Sequence, residues 1–249
     1  MVQYDFGRQY SGTFLVKDDS HGRANPQIRT FMNKLRTSTN TRRINTRLVE
    51  HLGTLQKAQS KTRYPGTAQD QLFESTYLHS HVGRTGKCED CLGNDICTND
   101  CKTIGCQLDY LVPRYRSGSD ANAARKSPQI HFGRLGSANT VMKSGIDRDR
   151  IAEEHKLIAF EMEVSGVRDI LPTVTVKSAC DYADSHKNKD FQVYAAATAA
   201  AGLKALLEQW EWTQSTSQGM SEVFDTAAHT DAFQIHLGLF MRESSTCQI

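Results

Sequence analysis

The sequence predicts an α/β fold built on a parallel sheet, and three observations carry that prediction. After Pro128, residues 129–135, 157–164 and 173–180 form apolar runs of strand length, bounded by polar or turn-forming residues. Stretches of helical character lie between and after them, and strands alternating with helices favour parallel pairing. Finally, residues 193–212 contain Tyr-Ala-Ala-Ala-Thr-Ala-Ala-Ala followed by Leu203, Leu206 and Leu207, where strong helix propensity meets an apolar face. Small residues on that face suit close packing against a sheet.

Taken in order, the opening residues 2–7, Val-Gln-Tyr-Asp-Phe-Gly, alternate apolar and polar and end at glycine, as a short strand leaving a sheet does. Asn25 can cap a helix that has Pro26 at its first position, with Ile28, Phe31, Met32 and Leu35 spaced along one face. A second, basic helix is expected over residues 42–58, with Ile44, Leu48, Leu52 and Leu55 as its buried stripe. Residues 66–126 are rich in Gly, Ser, Thr, Asp, Cys and Arg and show little period, which marks a long excursion from the core with little regular structure. The last 37 residues, 213–249, carry an apolar patch at residues 233–240 for which the pattern suggests no partner.

The composition narrows the function classes. The chain has 249 residues, 38% of them hydrophobic, with 30 Lys plus Arg against 28 Asp plus Glu. This suits one globular domain or slightly more and argues against wholesale disorder. No stretch approaches the roughly 20 consecutive apolar residues of a membrane helix, and residues 1–12 do not resemble a signal peptide. A soluble, cytoplasmic protein with no membrane partner is therefore expected. Residues 29–63 hold nine Lys or Arg and a single acid, Glu50, while the remainder of the chain sums to minus six. Such a basic segment either steers an anionic ligand or forms a solvated helix face, and the second reading makes nucleic acid an unexpected partner. Five of the seven cysteines fall within residues 88–106, a crowding that fits reduced loop thiols better than a secreted disulfide framework. Cys88, Cys91, Cys97 and Cys101 can in principle supply four zinc ligands, but the usual signature separates paired short spacings by a longer arm than the five residues found here, so no metal is assigned. His79 and His81 could join such a site, but the expectation is that they are exposed loop histidines.

Two clusters carry chemistry. Phe160-Glu161-Met162-Glu163 closes an apolar strand just before Ser165-Gly166, and a carboxylate at the carboxyl edge of a parallel strand stands where open α/β sheets bind ligands. Either acid can accept hydrogen bonds from sugar hydroxyls, or simply be solvated at a strand end. The run from Cys180 to Lys189 follows another strand and sets Asp181, Asp184, His186, Lys187 and Lys189 close together. It offers an acid with neighbours able to shift its pKa, or structural capping by Asp181 or Asp184.

Together with residues 194–201, these clusters resemble the purine and uridine phosphorylase family, in the branch found in fungi, where such domains often head multidomain proteins. Ile130-His131-Phe132-Gly133, Ser137-Ala138-Asn139, Val141-Met142-Lys143, residues 2–7 and Asp70-Gln71-Leu72-Phe73-Glu74 fit the same branch, so the resemblance covers roughly residues 1–207 in order.

The resemblance implies a three-layer α/β/α sandwich of nucleoside phosphorylase type over residues 1–212, with a Cys-rich insertion near residues 79–126. It implies cleavage of the N-glycosidic bond of a purine nucleoside or nucleotide by phosphate or water, with phosphate as a co-substrate in the first case and no other cofactor. Met162 would pack on the sugar, Glu163 would accept from its hydroxyls, Val141 and Met142 would face the base, and Asp181 would protonate N7 of the departing purine. An acid at N7 lowers the barrier because the base leaves with the bonding electrons. Relatives assemble as dimers, trimers or hexamers, which makes a homo-oligomer a natural expectation. The family also has about a third of its fold upstream of the position of Val2, including phosphate-binding loops, so the resemblance implies a domain incomplete at its amino end. Ala138 replaces a usual glycine, and Lys177-Ser178 replaces a usual Arg-Gly. The alternative to an enzyme is a non-catalytic nucleoside-sensing or protein-interaction module.

Overall fold

The computed structural model describes residues 1–11, 13–16, 26–79, 91–92, 96–97, 99–113, 127–164, 166, 173–210 and 234–237. Along the chain, strand β1 (Val2–Gln3) precedes an antiparallel pair, β2 (Gly7–Tyr10) and β3 (Thr13–Val16). Helices α1 (Pro26–Leu35) and α2 (Ser38–Ala58) follow, then the short pair β4 (Cys91–Leu92) and β5 (Ile96–Cys97), and one helical turn, α3 (Cys101–Ile104). The remaining elements are β6 (Arg134–Ser137), α4 (Gly145–His155), β7 (Leu157–Glu161), β8 (Thr173–Val176), α5 (Gln192–Leu207) and β9 (Gln234–Leu237).

The architecture is mixed α/β with a small parallel sheet. Its strand order is β1-β6-β7, with Val2 opposite Gly136 and Ser137 opposite Glu161. Helix α4 supplies the crossover from β6 to β7, as parallel pairing requires. Strand β8 pairs in parallel with β9, Thr173 opposite Gln234 through Val176 opposite Leu237. The apolar patch near the carboxyl end therefore does have a partner within the chain, contrary to the sequence expectation. The pairing joins segments far apart in sequence, and nothing in a local pattern encodes such a match. The rest of residues 213–249 lies outside the described residues, as do Asn25 and Ser165.

Several predicted strands are shorter than their apolar runs, for local reasons. The strand expected over residues 2–7 stops at Gln3, because Tyr4 turns into the core and the Asp5 carboxylate accepts from Asn139 N at 2.6 Å. Gly7 then opens β2 instead of closing β1. The run at 129–135 enters the sheet only at Arg134. Upstream of it, Ile130 N donates to Asn45 Oδ1 at 2.8 Å, and Ile130 and Phe132 pack on the helices, so these apolar residues serve the helical layer. Strand β7 ends at Glu161 because that side chain accepts from the backbone N–H groups of Glu163 and Val164, both at 2.9 Å, and turns the chain. Helix α5 ends at Leu207, short of the expected Trp212, through bonds from Gln209 N to Leu206 O and Trp210 N to Leu207 O. Trp210 then packs edge-on to Phe31, with centroids 4.6 Å apart.

Two cores result. On the sheet, Tyr4, Ala138, Met142, Phe160 and Ala183 cluster, with Tyr4 and Phe160 edge to face at 5.5 Å. Between the helices, Leu35, Ile44 and Leu48 meet Ala205 and Leu206, while Leu52 meets Ala197 and Ala201. The small face of α5 thus lies against α2 as well as against Val176 of β8. Leu55, expected in the buried stripe of α2, is exposed near the end of that helix. Most of the basic residues between 29 and 63 are solvated, in line with the plainer reading of that segment. Arg47 differs, since its guanidinium donates to both carboxylate oxygens of Glu208, at 2.7 and 2.8 Å, and ties α2 to the end of α5. That contact, with His51 also on Glu208, brings the Glu208 carboxyl down to about 2.

Candidate functional site

Between β7 and β8, which belong to separate sheets, the chain leaves a cleft of about 710 Å³ that runs along Ile158 to Glu161 and Val174 to Val176 and whose lining also includes Tyr64, His131, Lys177, Asp181 and Lys187. Strand ends project polar groups past the hydrogen-bonded layer, and Glu161 at the end of β7 and Lys177 just past β8 bring such groups to the cleft. Glu161 is the last residue of β7, and Lys177 is the first beyond β8. The Lys177 ammonium lies 3.3 Å from Glu161 Oε2 and also pairs closely with Glu163 Oε2, so one cation gathers both acids. Glu161 is only 4% exposed, and its Oε1 is buried with no hydrogen-bond partner. Unmatched acceptors of this kind are costly in a core and informative in a cleft.

Asp181 stands on the loop that follows β8. Its Oδ1 accepts from Ala183 N at 2.9 Å and lies 3.5 Å from Lys187 Nζ, and the Cys180 thiol approaches Oδ2 at 3.7 Å. Burial pushes the Asp181 carboxyl up, and Lys187 offsets part of that rise. Burial likewise pushes the Lys187 ammonium down against the pull of Asp181. The two groups therefore share a desolvated site in which burial disfavours the charged form of each. Ala183 adopts a left-handed conformation at φ 51° and is fully buried, so the loop accepts local strain to hold this arrangement. Asp184 Oδ1 accepts from His186 N at 2.9 Å, and Arg148 reaches both Tyr182 O at 2.7 Å and Asp184 at 3.6 Å, which pins the loop to α4. Both aspartates thus cap backbone turns, and both also line the cleft.

On the opposite wall, Tyr182 donates to Asp70, and Asn188 Nδ2 donates to Gln69 O at 3.4 Å. Phe73, nearly fully buried, stacks on His186 at 4.3 Å, and Tyr77 stacks on Tyr110 at 4.3 Å. These rings dock the stretches around Phe73, Tyr77 and Tyr110 onto the loop that bears Asp181. His79, expected to be an exposed loop histidine, is 1% exposed. Its Nε2 meets Asn99 O at 2.6 Å, and Asn99 lies in the segment that folds around it. The cysteines considered as zinc ligands from spacing fall partly outside the described residues, with Cys88 unplaced and Cys91 described only as backbone in β4.

Of the residues singled out in the sequence, the structure brings Asp181 onto the cleft lining and links Glu163 to it through Lys177. Met162 is half-buried beside Glu161, Val141 is half-buried and Met142 lies in the sheet core, and none of these three is on the lining. The reading of the sequence passed over Lys177 as a site residue. Its signal was present, for it follows a strand as directly as Glu163 follows β7, but as a cation it did not fit a search for paired acids.

No protein-family model matches the chain, and no solved structure matches it. Over 209 residues the chain is 30% identical to a nucleotide-binding leucine-rich repeat (NLR)-like protein of Hyaloscypha variabilis. The alignment takes in 83% of this chain and 18% of that protein. The chain is therefore similar, over most of its length, to one segment of a much longer NLR-like protein. Among the described residues no helix is long and apolar enough to cross a membrane.

Proposed function

We propose that the cleft binds a purine nucleoside or nucleotide and that the chain is part of a three-layer α/β/α sandwich domain of nucleoside phosphorylase type. The observation that carries this reading is that one cleft is lined both by the desolvated Asp181 carboxyl and by Glu161, which Lys177 gathers together with Glu163. Cleavage of an N-glycosidic bond needs two kinds of help, and they arise at the two ends of the same bond. The base must leave with the bonding electron pair, so a protonated Asp181 donates to N7. The sugar becomes positively charged at C1′, and Glu161 and Glu163 accept from its hydroxyls and oppose that charge. Phosphate or water then forms the new bond at C1′, and the proton that this nucleophile gives up returns to the Asp181 carboxylate beside Lys187, which restores the acid.

The similarity to a segment of an NLR-like protein supports a second reading, in which the same cleft senses a nucleoside without turning it over. Both readings place the same ligand on the same residues and differ only in bond cleavage. Incubation with a panel of purine and pyrimidine nucleosides and nucleotides, with and without phosphate, separates them by the free base released. Release that requires Asp181 and not Lys57, a solvated residue of α2, supports the enzyme; saturable binding without release supports the sensor. Neither binding nor release of any purine compound would overturn both.

A further inference from the structure

We propose that His79, Cys101, Cys106 and His186 form a zinc site that staples the Cys-rich excursion to the loop bearing Asp181. One ring nitrogen of His79, the Cys106 sulfur and one ring nitrogen of His186 all lie within 4.8 Å of one another. Cys101 Sγ and Cys106 Sγ stand 3.7 and 3.6 Å from the same atom, His79 Nδ1. A zinc tetrahedron with Zn–N and Zn–S bonds of about 2.0–2.3 Å has edges of about 3.3–3.8 Å, so these separations already match two edges. Two imidazoles with two thiols form a donor set suited to zinc and ill suited to magnesium or calcium, which take oxygen.

Three further observations point to a cation here. A carbonyl oxygen can only accept, so the 2.6 Å contact with Asn99 O puts the proton of His79 on Nε2 and leaves the Nδ1 lone pair facing both sulfurs. A backbone carbonyl behind a ligating histidine is the usual way a metal site fixes ring and tautomer. His186 is 6% exposed, and its Nε2 is buried with no hydrogen-bond partner. Phe73 stacked on one histidine, and the edge-on approach of the two histidines at 4.9 Å, hold both rings in place. The four residues come from three separate stretches of chain, which explains why the spacing of residues 88–106 did not reveal the set. It also gives the ion a task, since a closed four-ligand site joins segments that a small domain cannot join by apolar burial alone.

The test uses the full chain, expressed with zinc, freed of loose metal under reductant and assayed for metal content. The expected result is about one zinc per chain. Exchange with cobalt(II) should give the intense visible bands of a tetrahedral site together with thiolate-to-cobalt charge transfer. Zinc should shield Cys101 and Cys106 from alkylation, as mapped by mass spectrometry, and leave Cys88 and Cys91 reactive. Cys106→Ser and His186→Ala should lose the metal, Cys106→His should keep it, and the double change of Cys88 and Cys91 to Ser should have no effect. If the ligand variants fail to fold, the cobalt spectrum and the alkylation map of the unaltered chain decide alone. A folded, reduced chain without stoichiometric zinc would overturn the proposal. So would a pale octahedral cobalt spectrum, a Cys101–Cys106 disulfide in place of metal, or loss of zinc on changing Cys88 and Cys91 only.

Discussion

At Asp181 burial and charge pull in opposite directions, and their balance decides what the residue can do. Burial favours the neutral acid, Lys187 favours the carboxylate, and burial prevails, so the pKa lies above its ordinary value near 3.8. A raised carboxyl contributes stability that is fully present below that ordinary value and is lost as pH rises through the folded-state pKa. The same direction governs catalysis, because only the protonated form can donate. Base release should therefore fall as pH rises through the Asp181 pKa, and Asp181→Asn should lower it by about 10²- to 10⁴-fold and flatten the profile. Lys187→Met removes the offsetting charge, so its profile should move to higher pH; a shift to lower pH would contradict the assignment. Measurement of kcat/KM against pH for the three proteins checks both statements. This residue was legible in the sequence, because an acid following a strand, with a lysine six positions on, is a local pattern. Glu161 was harder to separate from Glu163, since only the turn made by its own side chain shows which of the two is buried.

Among elements, the contact between α2 and α5 rests on small residues facing large ones. A methyl group added at Gly202 would meet Leu48 Cδ1 at 3.4 Å, an ordinary contact, in the interior of a helix where glycine is unfavourable. Gly202→Ala should thus stabilise the fold by about 0.5–1 kcal/mol. Leu48→Ala, which empties the other side of the same contact, should cost about 2–5 kcal/mol. At Gly145, which opens α4, a methyl group would lie 2.9 Å from the Ser75 backbone. Gly145→Ala should therefore destabilise, because the segment carrying Phe73 must shift to admit it. Urea unfolding midpoints at constant slope check all three. The helices were readable because their periodicity is a property of one segment. Strand ends were not, since β1 stops where Asp5 bonds to the distant Asn139, β6 begins only past the contact of Ile130 with Asn45, and β7 stops at the turn made by Glu161. The partnership of β8 with β9 has no local signature at all.

For the molecule as a whole, the site is assembled from segments that no pattern places together. Asp70 and Phe73 approach the Asp181 loop through the Tyr182 hydroxyl and the His186 ring, and Lys177 ties the end of β7 to the end of β8. The parallel α/β class could be read from alternation alone, whereas the docking of residues 66–113 onto the site could not, because its anchors are single aromatic side chains within an aperiodic stretch. Phe73→Ala should accordingly cost about 3–5 kcal/mol, and should also weaken any ligand held by the Asp181 loop. The central claim is that the one cleft lined by Asp181 and Glu161 takes a purine nucleoside. Calorimetric titration of adenosine, inosine and their 5′-phosphates into the unaltered chain, Asp181→Asn and Glu161→Gln tests it most directly. The account predicts a saturable purine isotherm whose Kd weakens by about tenfold or more in each variant, as loss of a charged hydrogen bond implies. Affinity unchanged in both variants, or no purine binding by the folded unaltered chain, would contradict it.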